Sequence, residues 1–241
     1  MKLILFADGF VGSKISSHLI NNYCQDLSLI VCTSKNEIYE YGNRKKIPVC
    51  EYSEIDKLSH EDKFDLGILA WWPKIIKEPL LSLPKQGFIN THPSLLPYNR
   101  GKHYNFWTLV EQTPFGVSLH FIDEGIDTGD IIFQKTLLYD WTDTGETLYN
   151  RAQNEMIKLF IDSYDRIRIG NYERIPQNNN IGSYHHSSEL NNICNIDLNA
   201  TYPIREILNL LRARTFEGHP GCIFEENGSK YEITLKIKKV N

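Results

Sequence analysis

The chain has 241 residues, of which 41% are hydrophobic and 23% are charged, and this composition excludes wholesale disorder. The length fits one large domain, or a main domain with a smaller appendage. A net charge of -4 and a pI of about 6.1 argue against a nucleic-acid partner, because proteins that bind duplex DNA or tRNA carry a marked basic excess.

The first part of the chain alternates between short apolar runs and segments with helical spacing. Strand-like runs cover residues 2–6, 27–32, 48–50, 65–71 and 87–90, and a helical spacing covers 13–22. Continuous apolar strands separated by helices are typical of a parallel sheet that is covered on both faces. We therefore expect an α/β fold whose sheet is mostly parallel.

The next part of the chain adds β-rich and helical segments of the same kind. Residues 115–122 alternate between apolar and polar side chains, and residues 131–139 form another β-rich run. Residues 104–111 read as a helix. Residues 146–168 carry apolar side chains at helical spacing, which predicts a long amphipathic helix packed across the sheet.

The composition changes after this helix. A polar linker at 177–180 is followed by a helical spacing at 203–214. Asn227-Gly228 lies between two β-rich runs and is a strong hairpin signal. The sequence therefore predicts a main domain at 1–176 and a small C-terminal α+β appendage at 177–241 that ends in a β-hairpin.

The turn after the first strand contains two glycines, Gly9 and Gly12. Backbone N–H groups at such a turn can approach an anionic ligand, which makes Gly9 and Phe10 candidate substrate contacts. The pattern is not G-x-G-x-x-G, and Cys32 and the residues after it supply no acid at the end of the second strand. A tight turn without a ligand explains these residues equally well.

The most informative segment contains Asn90 and His92, two residues apart at the end of a strand. Side chains at this spacing leave the same face, and Pro93 ends the strand there. The two residues therefore lie at the carboxyl edge of the sheet, where open α/β sheets bind ligands. A histidine can exchange a proton near neutral pH, and an amide can donate to an oxyanion, which suits acyl transfer. The alternative is that Asn90 caps a turn and His92 is structural.

An acidic, glycine-containing loop at 121–130 is the second informative segment. We expect the Asp127 carboxylate to orient His92 and to stabilise its protonated form. The other acids of the loop, Asp123, Glu124 and Asp130, fit turn-capping or solvent-facing positions. A calcium loop is disfavoured because its D-x-D-x-D-G spacing is absent.

Three other function classes compete with acyl transfer. A metal hydrolase would use His92, His103, His120 and Asp127, but no H-E-x-x-H pair is present and we expect no metal. A non-catalytic nucleotide-binding module would show no turnover. A hydrolase that releases the acyl group to water is the nearest rival.

Three blocks of sequence resemble the formyltransferase family that uses N10-formyltetrahydrofolate. They are N-T-H-P-S-L-L-P at 90–97, G-V-S-L-H-F at 116–121 and D-E-G-I-D-T-G-D at 123–130. The resemblance implies a Rossmann-like domain whose catalytic residues are Asn90, His92 and Asp127.

The resemblance also implies a site for the formyl donor. Residues 69–76 and 121–127 would enclose the pterin ring of the folate. The side chains and glycine that would contact the folate are Trp72, Lys74, Ile75, Ile76, Phe121, Ile122, Asp123 and Gly125. Core packing explains Trp72 almost equally well.

Within the family, the length and the acidic balance look most like the nucleotide-sugar N-formyltransferases of bacterial surface-glycan (O-antigen, lipopolysaccharide) pathways. The best-fitting acceptor is dTDP-4-amino-4,6-dideoxyglucose. A 3-amino sugar, methionyl-tRNA, glycinamide ribonucleotide and formyltetrahydrofolate hydrolysis are the alternatives. Arg100, Lys102 and His103 would contact the pyrophosphate or the sugar, or would only cap a helix. The family also implies a homodimer.

The cysteines and the apolar runs indicate the compartment. The five cysteines are scattered and form no C-x-x-C pair, so we expect reduced thiols. No apolar stretch is long enough to span a bilayer. We therefore expect a cytoplasmic protein that has no membrane contact. The segment 183–186, which contains His185 and His186, reads as a surface loop, and a sugar contact is the alternative.

Overall fold

The computed structural model describes residues 1–57, 64–178 and 180–240, in which strands and helices alternate. Within these residues the strands are β1 (Leu3–Ala7), β2 (Leu27–Cys32), β3 (Val49–Glu51), β4 (Leu66–Ala70), β5 (Phe88–His92), β6 (Arg100–Gly101), β7 (Phe115–Phe121), β8 (Ile131–Leu137), β9 (Tyr184–His185), β10 (Cys222–Glu226) and β11 (Ser229–Ile233). The α-helices are α1 (Gly9–Asn22), α2 (Glu37–Arg44), α3 (Tyr104–Glu111), α4 (Gly145–Arg168), α5 (Glu189–Ile193) and α6 (Ile204–Arg214). Short 3-10 helices cover Tyr52–Lys57 and Leu80–Ser82.

The main sheet of the described residues has the strand order β3-β2-β1-β4-β5-β7-β8. The pairs β2–β3, β1–β2, β1–β4 and β4–β5 are parallel, whereas β7 is antiparallel to β5. Every residue of β1 and of β4 is buried, as expected for strands covered on both faces. The predicted α/β fold with a mostly parallel sheet is therefore confirmed.

The C-terminal hairpin is also confirmed. Strands β10 and β11 pair antiparallel with Glu226 opposite Ser229. Asn227 and Gly228 between them have φ values of 49° and 74°. Two consecutive residues in the left-handed region are what a two-residue hairpin turn of type I′ requires, and asparagine followed by glycine tolerates it best.

The chain divides into two compact units. The first comprises Met1–His92, Ser118–Gln134 and Gln153–Gln177. The second comprises Pro93–Val117, Lys135–Ala152 and Asn178–Asn241. The boundary at residue 176 between a main domain and an appendage stays a prediction.

A buried carboxylate ties the long helix to the sheet in the first unit. Asp26, just before β2, is only 2% exposed. Arg168 at the end of α4 donates to both of its oxygens at 2.9 and 3.1 Å, and the Tyr164 hydroxyl donates at 3.2 Å. This pairing offsets the desolvation of the charge, which would be costly without a partner.

The second unit contains a buried arginine on α6. Arg212 is 4% exposed and donates to the Asn209 side chain and to the backbone carbonyls of Asp140 and Asp143. Its guanidinium also lies 4.6 Å from the centre of the Trp141 ring. Arg212 is therefore a structural residue.

The interpretation of residues 183–186 as a surface loop is wrong for His185. This residue belongs to β9, which pairs with β6, and it is 6% exposed. Its ring stacks on Trp107 at 3.8 Å and contacts the carboxylates of Glu111 and Glu189 at 3.0 and 3.2 Å. Residues 183–186 are mostly polar, so their sequence does not indicate a strand. A strand forms there because the polar groups of His185 have partners inside the protein.

Two further observations concern the cysteines and membrane spans. All five cysteines are free. Across the described ranges, the chain has no helix that is both long and apolar enough to cross a bilayer.

Strand β4 contains a glycine that the core requires. Gly67 lies beside Phe88 of β5, and a Cβ atom added at Gly67 would collide with the fully buried Phe88 ring. We expect Gly67→Ala to lower the free energy of unfolding by about 1–3 kcal/mol, the usual cost of overpacking. Urea denaturation measures the change. The double variant Gly67→Ala/Phe88→Leu should recover part of the loss, and a Gly67→Ala protein as stable as the wild type would contradict this packing.

Candidate active site

The carboxyl end of β5 and the middle of β7 present polar side chains on one face of the sheet. Asn90 and His92 are two residues apart on β5, and Pro93 follows the strand. In the antiparallel register Asn90 lies opposite His120 and His92 lies opposite Ser118. Since directly opposed residues share a face, all four side chains point to the same side.

Asp127 comes to this face from the loop between β7 and β8. Its carboxylate is 14% exposed, with one oxygen 3.4 Å from His92 Nδ1 and the other 3.4 Å from Asn90 Nδ2. The His92 side chain is 6% exposed. The structure therefore brings together the three residues predicted as catalytic. A carboxylate beside a buried imidazole stabilises the charged form of that imidazole.

The acidic loop that carries Asp127 is shaped by another of its acids. Asp123 Oδ1 accepts hydrogen bonds from the Gly125 backbone N–H at 3.0 Å and from the Thr128 hydroxyl at 2.6 Å. This is an Asx-type turn, in which the side chain replaces a backbone acceptor. Asp123 is exposed, in agreement with its predicted turn-capping position. Asp127 itself has a φ of 56°, in the left-handed region.

His120 is a site residue that the sequence analysis considered only as a metal ligand. Its side chain is 1% exposed, and its Nε2 lies 3.2 Å from Asn90 Nδ2 and 3.6 Å from Asp127 Oδ1. Its Nδ1 lies 2.8 Å from the Phe121 carbonyl oxygen. A carbonyl can only accept, so the hydrogen is on Nδ1, and Nε2 accepts from the Asn90 amide. In the sequence, Ser118 and His120 alternate with the apolar residues of β7, and this alternation indicates that His120 lies on the polar face of the strand.

Thr91, between Asn90 and His92, points away from the site and connects β5 to β4. It is 3% exposed, donates to the Leu69 carbonyl at 3.1 Å and accepts from the Trp71 N–H at 2.9 Å. Trp71 has a φ of 58°, so the chain turns sharply after β4. This turn sets the start of the segment 71–76.

The predicted folate contacts of this segment differ in their surroundings. Trp72 packs edge-on against Phe6 at 5.2 Å, and Ile76 is buried in the same core cluster. The Lys74 ammonium lies 4.5 Å from the centre of the Tyr52 ring. Ile75, by contrast, is 68% exposed.

The predicted contacts at the end of β7 are also part of the packing. Phe121 is 4% exposed and carries the Arg174 guanidinium 3.4 Å from its ring centre. Ile122 packs, partly buried, against the core cluster. Gly125 is exposed, and a side chain there would collide with Thr128.

Three large apolar side chains of the first unit, Phe10, Ile75 and Ile126, are exposed. Gly9 begins α1 with a φ of 59°, and the next residue, Phe10, is 47% exposed. Ile126, which precedes Asp127, is 45% exposed. Together with Ile75, these side chains provide apolar surface of the kind that binds a flat aromatic ring.

The three predicted substrate contacts of the second unit lie at β6 and at the start of α3. Arg100 is half-buried in β6 and Lys102 is exposed. His103 is the N-cap residue of α3, with a φ of 59° and no side-chain cap bond. Burial, and then the charges of Arg214 and Lys102, lower the pKa of His103. Since the usual histidine pKa is about 6.5, His103 is neutral at pH 7.

Three of the site residues have ligand atoms in the arrangement that a metal ion could use. Atoms of His92, His120 and Asp127 lie within 4.8 Å of one another. The same atoms of His120 and Asp127 also contact the Asn90 amide. The donor set is thus compatible with a metal ion as well as with proton transfer.

Two sequence families match the chain. The formyl transferase family matches residues 29–163, and the N-formyltransferase dimerization C-terminal domain matches residues 189–239. The first match covers more than half of the chain. The protein therefore belongs to the formyl transferase family.

Curated relatives match part of the chain. The methionyl-tRNA formyltransferase of Methylacidiphilum infernorum is 40% identical over 123 residues, which are 51% of this chain and 38% of that protein. The chain spans about half the length, or less, of the first curated relatives it matches.

Solved structures match most or nearly all of the chain. The 4-N formyltransferase from Francisella tularensis is 26% identical, has a TM-score of 0.82 and covers 99% of this chain and 98% of its own. A formyltransferase from Anoxybacillus kamchatkensis, solved with UDP-4,6-dideoxy-4-formamido-L-AltNAc and tetrahydrofolate, is 29% identical with a TM-score of 0.59. That match covers 80% of this chain and 89% of the other.

The hydrogen-bond pattern predicts one tautomer for His120. At a pH about two units above the usual histidine value, long-range proton–nitrogen NMR spectra should show the His120 hydrogen on Nδ1. The His120→Asn variant assigns the signal by its loss. A hydrogen on Nε2 would contradict the described bonds to Phe121 and Asn90.

Proposed function

We propose that the chain transfers a formyl group from N10-formyltetrahydrofolate to the amino group of a nucleotide-linked amino-dideoxy sugar. The observation that carries this proposal is the contact of Asn90, His92 and Asp127 on one face at the carboxyl end of β5. A proton acceptor, an amide donor and a carboxylate are the groups that acyl transfer to an amine requires. Membership of the formyl transferase family supports the choice of a formyl group.

The proton that the amine loses goes to His92 in this proposal. His92 Nδ1 faces the Asp127 carboxylate at 3.4 Å, so the other ring nitrogen, Nε2, is the atom that accepts the proton. Asp127 stabilises the imidazolium and fixes its orientation. The folate supplies a formyl carbon on a nitrogen that can leave, and His92 can return the proton to that nitrogen.

Asn90 stabilises the negative charge that develops on the formyl oxygen. Its Nδ2 contacts His120 and Asp127 at 3.2 and 3.4 Å, which are long distances for hydrogen bonds. An oxyanion is a stronger acceptor than either partner, so it can take one of the two amide hydrogens. His120 keeps the NH2 group, and not the amide oxygen, turned toward the reacting atoms.

The residues of the first unit fit a folate. Phe10, Ile75 and Ile126 offer exposed apolar surface for the flat ring system. Trp72 and Ile122 pack against the core cluster that contains Ile76, and Phe121 is buried, so in this proposal these residues shape the binding segments from within the core.

The proposed acceptor is a small nucleotide sugar. The Francisella tularensis 4-N formyltransferase matches nearly all of the chain at 26% identity, and the Anoxybacillus kamchatkensis structure contains a UDP-linked 4-formamido sugar. A net charge of -4 suits such a substrate better than a tRNA. Within this class we propose dTDP-4-amino-4,6-dideoxyglucose as the acceptor. The product would serve O-antigen synthesis, and the protein would act in the cytoplasm. Arg100, Lys102 and His103 would contact the pyrophosphate of the substrate.

Methionyl-tRNA is the second candidate acceptor. The observation that favours it is the 40% identity to the Methylacidiphilum infernorum enzyme. The match covers 38% of that relative, so most of the relative lies outside the alignment. One assay with both acceptors distinguishes the two candidates.

We also propose that the protein is a homodimer. The match of residues 189–239 to a dimerization domain supports this assembly. Sedimentation of the full chain, whose mass is 28.0 kDa, distinguishes a monomer from a dimer.

Replacing each of the three clustered residues should abolish most of the transfer. We expect His92→Ala and Asp127→Asn to lower kcat by about 10²–10⁴-fold, because proton transfer is lost. Asn90→Leu should lower it by about 10²–10³-fold, because the oxyanion loses a donor. Formyl transfer to the amino sugar is followed by chromatography of the nucleotide sugars.

Asp162→Asn is the matched control for Asp127→Asn, since it makes the same chemical change at an exposed position of α4, outside the site. It should keep wild-type turnover. Near wild-type transfer by His92→Ala or Asp127→Asn would refute the assignment. Formate release without a sugar would identify a hydrolase instead.

A further inference from the structure

Residues 172–177 follow α4 and run beside the acidic loop, and we call this segment the strap. Ile175 of the strap pairs with Ile131 at the start of β8 through two backbone hydrogen bonds of 2.9 Å each. The Arg174 guanidinium covers the ring of Phe121 at 3.4 Å and donates to the Gln86 carbonyl at 3.1 Å. The strap therefore contacts both ends of the loop that joins β7 to β8.

The strap ends in Gln177, whose side chain reaches the tip of the loop. Its Nε2 donates to the backbone carbonyl of Asp127 at 2.9 Å and to that of Gly129 at 2.7 Å. Because both acceptors are carbonyl oxygens, only the NH2 end of the amide can face them. The orientation of the Gln177 side chain is thus fixed by chemistry, and both of its amide hydrogens are used.

These two hydrogen bonds hold the backbone of Asp127 and of Gly129, and Asp127 carries the carboxylate that contacts His92. Asp127 is in the left-handed region, and the Asx-type turn of Asp123 lies earlier in the loop. The carboxylate reaches His92 and Asn90 at 3.4 Å each, so a small displacement of its backbone would end both contacts. Gln177 contacts Asp127 from the side of the strap and limits this displacement.

We infer that Gln177 is a positioning residue that sets the distance between the Asp127 carboxylate and His92. It acts through the backbone of the loop and needs no contact with either substrate. The inference rests on the proposed function only where activity is the readout.

Two substitutions of nearly equal length test the inference. Gln177→Glu replaces the NH2 donor with a carboxylate oxygen that faces the carbonyls of Asp127 and Gly129. Gln177→Met removes both hydrogen bonds and keeps a side chain of similar size. We expect kcat for formyl transfer to fall about 10- to 100-fold in each, because catalysis is sensitive to small misplacements. The KM values for both substrates should change less than about threefold. Gln25→Glu, at an exposed glutamine before β2, is the charge-matched control and should keep the wild-type kcat.

A double-mutant cycle separates positioning from a general loss of stability. In single-turnover experiments, Gln177→Met should have little effect in an Asp127→Asn background if it acts through Asp127. Equal effects in both backgrounds would overturn the inference, as would wild-type kcat in both Gln177 variants.

Hydrogen exchange provides a readout that does not depend on activity. Peptides that cover 121–131 should exchange faster in Gln177→Met than in the wild type, and peptides from α1 should not. If wild-type protein shows no transfer, the proposed function fails, and the exchange result still decides whether Gln177 restrains the loop. Unchanged exchange in 121–131 would overturn the inference on its own.

Discussion

The carboxylate of Asp127 contacts three nitrogen-bearing side chains, and the arrangement of the site depends on these contacts. One oxygen faces His92 at 3.4 Å, and the other faces Asn90 at 3.4 Å and His120 at 3.6 Å. Without such a partner, the buried His92 imidazole and the Asn90 amide would each lose an acceptor for an N–H group. The Asp127 side chain is itself 14% exposed, so water solvates part of its charge while it holds His92 and Asn90 in position.

The fold supplies these groups from three separate parts of the chain. Strand β5 is parallel to β4 and antiparallel to β7, so it is the strand at which the direction of the sheet changes. The change brings His120 opposite Asn90, and the loop after β7 then returns toward His92. The strap supports that loop through Gln177. A site of this kind depends on backbone register as much as on residue identity.

Some of this could be predicted from the sequence. The spacing of Asn90 and His92 and the proline after them give their shared face, since strand geometry is local. The Asn227-Gly228 turn follows from local conformational preference in the same way. Asp127 was predicted from its chemistry and from the family resemblance, and its contact with His92 depends on a loop conformation that no local rule gives.

Other parts could not be predicted, for physical reasons. The partnership of His120 with Asn90 depends on the register of β5 against β7, which the sequence does not contain. Gln177 binds backbone carbonyls, and every residue has one, so its side chain carries no signal of its partner. His185 was predicted in a surface loop, and its stacking on Trp107 arises only in the folded chain.

The fate of the formyl carbon tests the central claim most directly. Wild-type protein would be mixed with a donor that carries a carbon-13 formyl group and with dTDP-4-amino-4,6-dideoxyglucose, and the products would be followed by NMR. We predict that the label appears as a formamide on the sugar nitrogen and that its formation requires the Asp127 carboxylate. Label that appears as free formate, or a sugar amine that stays unmodified, would contradict the proposal.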